Sequence, residues 1–182
     1  MTTGSASAGM PIIVVDHDPA WARVYEQEVR VLRQALGAQL LACHHIGSTS
    51  VPRLPAKPIL DIILVVADIA ALDAGDQCLV ELGYDALGEN GLPTRRFLSR
   101  YAPDGTGIHL HAYADGNPEI ARHLAHRDYL RTHPAEAQAY GTLKRELAQE
   151  FRDDRDAYRL GKHDLIQTQE KRALEWQALQ NK

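Results

Sequence analysis

The chain has 182 residues, enough for one domain with a sizeable core and too few for two large ones. Hydrophobic residues make up 45% and charged residues 24%, and 20 Lys and Arg against 24 Asp and Glu leave a formal net charge of -4. That balance argues against a general nucleic-acid binder, which needs an excess of cations on one face, but leaves room for a local basic pocket. No apolar run is long enough to span a membrane, so the expected partners include neither nucleic acid nor membrane. Residues 1–10, MTTGSASAGM, lack the basic start and apolar stretch of a signal peptide and read as a disordered start to a single domain over 11–182. Cys43 and Cys78 sit in apolar surroundings and fit no CxxC spacing, which reads as free thiols in a reducing compartment. The expected location is the cytoplasm. Nothing in the sequence indicates an oligomeric state.

The β-branched run Ile12 to Val15 predicts a first strand. Asp18-Pro19 then suits a helix start, with Asp18 as cap. Trp21, Val24, Tyr25, Val29, Leu32 and Leu36 recur at helical spacing up to Gly37. Leu40 to Ile46 predicts a second strand that runs into Gly47-Ser48-Thr49-Ser50. Pro52, Pro55 and Pro58 make the next segment a loop. Ile59 to Val66 is the most apolar stretch and reads as a central strand covered on both faces. A helix over about 69–82 ends at Gly83. Short strands follow at Tyr84 to Leu87, Arg95 to Arg100 and Ile108 to Tyr113, separated by turns at Gly88 to Gly91 and Ala102 to Gly105. From Asn117 onward three helices are expected, over about 118–132, 134–151 and 154–180. The fold class is therefore α/β (α+β): a mixed sheet flanked by helices, with a C-terminal helical layer.

The strongest chemical signal is the Gly47-Ser48 turn between a strand and Asp61, which stands inside the apolar strand. Such a turn exposes backbone N–H groups and lets a phosphate approach closely. An acid on the next strand is placed to hold a metal that bridges phosphates. An Asp in so apolar a strand also needs a partner. His109 and His111 share one face of their strand, with Tyr113 beyond them.

His45-Ile-Gly-Ser-Thr-Ser-Val-Pro52, then Lys57-Pro-Ile-Leu-Asp61-Ile-Ile, closely resembles the signature of the GrpB family. The resemblance continues through Gly88 to Pro93, Arg95-Arg96-Phe97, His109-Leu-His111, His126 to Arg131, Leu143 to Leu147 and Asp154 to Tyr158. It spans Ile12 to about Trp176. It implies the nucleotidyltransferase fold, shared with polymerase-β-like enzymes and with domains fused to dephospho-CoA kinase. It also implies transfer of a nucleotidyl group from an NTP to a small acceptor. By that resemblance Gly47, Ser48, Thr49 and Ser50 hold phosphate, and Lys57, Arg96, Lys144, Tyr158 and Lys162 clamp the triphosphate. Asp61, His109 and His111 are then the catalytic and metal-binding set, with His45 as a further member and His44 on the opposite face.

The superfamily pattern, Gly-Ser followed by Asp-x-Asp or Asp-x-Glu and a third acid, is not complete in this chain. Asp61 matches the first acid, but the second position is Ile63, which cannot bind metal. Two imidazoles in place of carboxylates shift the expected metal from Mg²⁺ toward Mn²⁺, Zn²⁺ or Ni²⁺. Alternatively, the histidines contact phosphate directly as donors. Arg53 stands where the family usually has Gly, so it either crowds the phosphate loop or adds a charge to it. His123, His126 and His133 near Asp128 do not have the spacing of a zinc site. Tyr140 reads as part of a core-facing stripe, and Trp176 either as a docking residue of the last helix or as a self-association contact. Two other functional readings stay open. One is a non-catalytic module that binds a nucleotide or another phosphorylated metabolite. The other is a metal-dependent enzyme of a different reaction type, built on His109, His111 and Asp61.

Overall fold

The computed structural model describes residues 11–75 and 77–180; the expected disordered start at 1–10 lies outside them. In chain order the elements are α1 (Ala20–Leu36), β1 (Leu40–Ile46), β2 (Ile59–Val66), α2 (Ile69–Ala74), α3 (Gln77–Glu81), β3 (Asp85–Ala86), β4 (Arg96–Tyr101), β5 (Gly107–Ala114), α4 (Pro118–Thr132), α5 (Pro134–Glu150), α6 (Arg155–Gly161) and α7 (His163–Gln180). The five strands form one mixed sheet in the order β1-β2-β5-β4-β3. Only β2 and β5 run parallel; the other pairs are antiparallel.

β5 is the middle strand, and its neighbour β2 is covered on both faces: seven of its eight residues are buried and Asp61 alone is not. One sheet face carries Leu60, Ile62, Leu64, Val66, Leu98 and Leu110 against Trp21, Leu32 and Leu36 of α1 and Leu72 and Leu79 of α2 and α3. Each such aliphatic side chain contributes roughly 1.5–3 kcal/mol by leaving water. Glu28 is buried on the same side of α1, where the guanidinium of Arg100 (2.6 Å) and the hydroxyl of Tyr84 (2.7 Å) satisfy its carboxylate. The opposite face carries Ile46, Ile63, Val65 and Tyr113 against Ile120 and Leu124 of α4. Beyond α4, Tyr129, Leu130, Ala137, Tyr140 and Ala173 form a separate core under Val51 and Leu54. Trp176 packs there edge-on to Tyr129, so it docks the last helix, one of the two roles expected of it.

Several boundaries differ from the sequence reading for local reasons. The expected first strand reduces to one bridge, Val15 to Ala56, and Ile12 donates instead to the Arg152 carbonyl. The Asp18 carboxylate accepts from Ala20 N at 2.8 Å, which is the capping role expected of it. The helix expected over 69–82 breaks at Gly75, whose N–H closes the last turn of α2 on the Leu72 carbonyl. The helix expected over 154–180 breaks after Gly161. A Cβ there would lie 2.5 Å from Leu147 Cδ2, so glycine is what lets α6 reach α5. Tyr158 lies on α6 and Lys162 between α6 and α7, at that break.

Candidate functional site

Strand register assembles the floor of the site. β2 and β5 pair Asp61 with His109 and Ile63 with His111, which puts all four on one sheet face. Asp61 Oδ1 lies 3.3 Å from His109 Nδ1 and 3.0 Å from His111 Nε2. The Tyr101 hydroxyl sits 2.6 Å from His109 Nε2. Arg95 stands 3.4 Å from His111 Nδ1. A guanidinium only donates, so Nδ1 accepts and Nε2 carries the hydrogen that goes to Asp61. Burial pushes the Asp61 carboxyl up, but the hydrogen bonds from His109 and His111 outweigh it and hold the group well below the usual range. Asp61 is therefore an anion at neutral pH.

The Gly47-Ser48 turn forms the wall beside it. Gly47 has φ 68°, and a Cβ on it would lie 2.6 Å from Asp61 Oδ2, so conformation and space both require glycine. Ser50 closes the turn twice on the Gly47 carbonyl, through its N–H at 3.2 Å and its hydroxyl at 2.6 Å. Ser48 is half-buried and faces the cavity. Thr49 and Ser50 are buried, and Thr49 is bonded to His45 Nε2 at 2.9 Å. Those two residues brace the turn and do not line the cavity.

Cations close the roof. A cavity of about 410 Å³ is bounded by Ser48, Lys57, Asp61, His109 and His111 below and by Tyr140, Lys144, Tyr158 and Lys162 above. Tyr140 and Lys144 are one helical turn apart on α5, with the Lys144 amine 4.4 Å from the Tyr140 ring. The Tyr158 ring on α6 lies under both Lys162 (4.9 Å) and Lys57 (5.7 Å). Burial, then Lys162 and Lys57, push Lys144 down to about 6. Burial and Lys162 push Lys57 down to about 8, and burial lowers Lys162. Among the described residues that line the cavity, Asp61 is the one acid. Lys57 and Lys162 lack matching carboxylates there, and their repulsion disfavours a third charge on Lys144 until an anion enters.

The structure thus brings together Gly47, Ser48, Lys57, Asp61, His109, His111, Lys144, Tyr158 and Lys162. It places Arg96 elsewhere. Arg96 grips Asp73 with two bonds, at 2.6 and 2.7 Å, and does not line the cavity. Side chains alternate along β4, so Arg95 takes the face of Phe97 and Tyr101 toward the histidines. Glu89 and Asn90 carbonyls hold Arg95 in place, at 3.1 and 2.8 Å. His45 also falls outside. Ile46 pairs with Asp61 and His45 with Ile62, so His45 takes the opposite face, stacked on Tyr25 at 4.9 Å, while His44 lies on the Asp61 side. Burial pushes His45 down to about 4. Arg53 neither crowds the turn nor charges the cavity. It has φ 65°, a conformation that suits glycine, and borders a separate groove of about 730 Å³ with Arg131 and Arg145. Sequence reasoning missed Tyr140 and Arg95 as site residues. The four-residue spacing from Tyr140 to Lys144, and the parity of Arg95 with Phe97, were the signals that could have found them.

Fold and site together define a mixed α/β protein with a cationic cavity over an Asp-His-His floor. The chain belongs to the GrpB family: the family described as "GrpB protein" matches residues 11–172. The chain is 39% identical over 168 residues to "UPF0157 protein YqkA" of Bacillus subtilis (strain 168), covering 92% of this chain and 49% of that one. It therefore spans about half the length of that relative. It is 27% identical over 194 residues to "Dephospho-CoA kinase" of Mycobacterium leprae (strain TN), covering 91% of this chain and 47% of that one. Among solved structures, "Crystal structure of conserved protein GrpB from Enterococcus faecalis" superposes with a TM-score of 0.85 at 44% identity, covering 90% of this chain and 98% of that one. Among the described residues no helix is long and apolar enough to cross a membrane.

Proposed function

We propose that the cavity binds the phosphates of a nucleoside triphosphate and transfers a nucleotidyl group to a small acceptor, with a divalent metal held by Asp61, His109 and His111. The observation that carries this reading is the trio Lys57, Lys144 and Lys162 around one cavity beside a Gly-Ser turn. Phosphoryl chemistry needs positioning and charge neutralisation more than covalent help from the protein, and lysines supply both. The three donor atoms of Asp61, His109 and His111 lie within 4.8 Å of one another, which fits a single ion. Two imidazoles and one carboxylate favour Mn²⁺, Zn²⁺ or Ni²⁺ over Mg²⁺. A metal on His111 Nε2 requires the other tautomer, with Nδ1–H turned against Arg95, so binding there is weakened by that guanidinium. Ile63, fully buried where a second acid would stand, favours a second reading: a module that binds a nucleotide or another phosphorylated metabolite without turnover.

Isothermal titration with ATP, CTP, GTP and UTP, each with Mg²⁺, Mn²⁺ or EDTA, tests the proposal on wild type and Asp61→Asn. Metal-dependent binding of one nucleotide, lost in the variant, is the expected result. Binding that survives EDTA and Asp61→Asn, without turnover, selects the second reading. No binding of any of the four would rule out a nucleoside triphosphate as the ligand.

A further inference from the structure

Ser48 has neighbours that phosphate binding alone does not require. Lys144 Nζ lies 2.8 Å from Ser48 Oγ, and the Tyr140 hydroxyl shares a hydrogen bond with the same oxygen. The amine also meets the Pro55 carbonyl and the face of the Tyr140 ring. As an ammonium the amine donates to both oxygens; as a neutral amine it still donates to Pro55, and its lone pair is then free to accept the Ser48 O–H. Lys144 is 2% exposed. The charged and titratable groups that share its cavity or act on it are Lys57 from the loop before β2, Tyr158 and Arg159 on α6 and Lys162 after it, Tyr140 on its own helix, Asp61 on β2, His109 and His111 on β5, and His126 on α4. Burial and the two lysines drive its amine toward the neutral form. Ser48 itself is half-buried at a turn that Gly47 forces open onto the cavity. A serine hydroxyl against a neutral amine is the arrangement by which Ser–Lys pairs make a nucleophile.

We infer that Ser48 and Lys144 are a nucleophile and its base, and that the cavity forms a covalent phosphoester on Ser48 from a phosphorus electrophile. The nucleophile pair stands on its own geometry; the choice of a nucleoside triphosphate as electrophile rests on the proposed function. In that step Ser48 Oγ bonds to the α-phosphorus, and the bond from that phosphorus to the bridging oxygen breaks. The bonding pair leaves with pyrophosphate, and the hydroxyl proton passes to Lys144 Nζ. The ammonium so formed keeps its bond to Pro55.

The test treats full-length wild type, Ser48→Ala and Lys144→Met with a fluorophosphonate probe between pH 6 and 9, where the P–F bond breaks and fluoride leaves. Intact mass and peptide mapping read the adduct. Parallel samples receive each of the four nucleoside triphosphates with Mn²⁺. The expected result is one adduct on Ser48, absent in Ser48→Ala and slowed roughly 100-fold in Lys144→Met. The wild-type labelling rate should level off above about pH 7, as the base is by then neutral. No adduct on Ser48 across the range, equal rates in a folded Lys144→Met, or a rate still climbing tenfold per pH unit at pH 9 would overturn the inference. The pH profile decides the matter if Lys144→Met does not fold. Nucleotide binding by titration without probe labelling overturns the pair and leaves the proposed function standing. Probe labelling of Ser48 without nucleotide binding supports the pair and removes the nucleoside triphosphate as its electrophile.

Discussion

Replacing Lys144 by Met should make the protein more stable at pH 6–7 and progressively less so, relative to wild type, as pH rises. The side chain is 2% exposed, and its amine falls from 10.5 to about 6 in the fold. At pH 7 the unfolded chain protonates this lysine and the folded one does not. Holding it neutral therefore costs about 1.4 kcal/mol for each of roughly 3.5 pH units, about 5 kcal/mol in all. Met fills a similar length without that charge, but it leaves Ser48 and the Pro55 carbonyl without the amine, which returns about 1–3 kcal/mol for each. The net gain at pH 7 is then small, while its pH dependence is not. Between pH 6 and 10.5 the unfolded wild type binds more protons than the folded form, so wild-type stability climbs with pH. The variant lacks that climb. Urea unfolding at pH 6, 7, 8 and 9 should show the difference between the two proteins shifting toward wild type by about 3 kcal/mol between pH 7 and 9. Parallel curves would refute the reasoning, since they would mean that Lys144 keeps an ordinary charge inside the fold.

Gly47→Ala combines a strained φ of 68° with a Cβ placed 2.6 Å from Asp61 Oδ2. It should cost at least about 1–2 kcal/mol in thermal unfolding and displace Asp61. Any thermal shift on adding Mn²⁺ or Zn²⁺ should shrink with it; an unchanged shift would detach the metal from Asp61. Arg95→Gln removes the guanidinium from His111 Nδ1 and should tighten Mn²⁺ or Zn²⁺ binding several-fold by titration. Equal or weaker affinity would show that Arg95 does not oppose the ion. Ile63→Asp restores the second acid in name only. At 0% exposure it buries a carboxylate in the α4-facing core, so a loss of roughly 3 kcal/mol or more is expected, with no gain in Mg²⁺ affinity.

Those elements set by hydrophobic pattern were legible in the sequence. Leu40–Ile46 and Ile59–Val66 stand at the predicted bounds because each is a run of apolar residues between turn signals. The helix breaks at Gly75 and Gly161 were not legible, because a glycine inside a helical pattern is tolerated as often as it terminates. At Gly161 it is contact with Leu147, 14 residues earlier, that decides. The same distinction runs through the site. Strand alternation, a local rule, put His109 and His111 on one face, and the resemblance to the family signature joined them to Asp61. Choosing Arg95 over Arg96 needed the knowledge of which β4 face meets β5 and which meets Asp73 on α2. Misplacing His45 came from following adjacency to Gly47, where antiparallel pairing of Ile46 with Asp61 sets the parity.

Ile63 and the three lysines are best understood as one physical arrangement. A site with several carboxylates gathers its anionic ligand through metal ions, whose charge cancels that of the protein and then that of the phosphates. In this chain the second carboxylate position is an apolar core residue, packed with Ile46, Val65 and Tyr113 under α4. The positive charge comes instead from side chains fixed to the protein, Lys57 on the proline-rich loop and Lys162 after α6, and both crowd Lys144 on α5. Fixed cations attract the ligand without an ion, but they repel one another while the cavity is empty of anion, and burial deepens that cost. Shedding a proton from Lys144 relieves the strain, and it leaves a neutral amine against Ser48. The base inferred for that hydroxyl thus follows from the same lysine crowding on which the proposed phosphate binding rests.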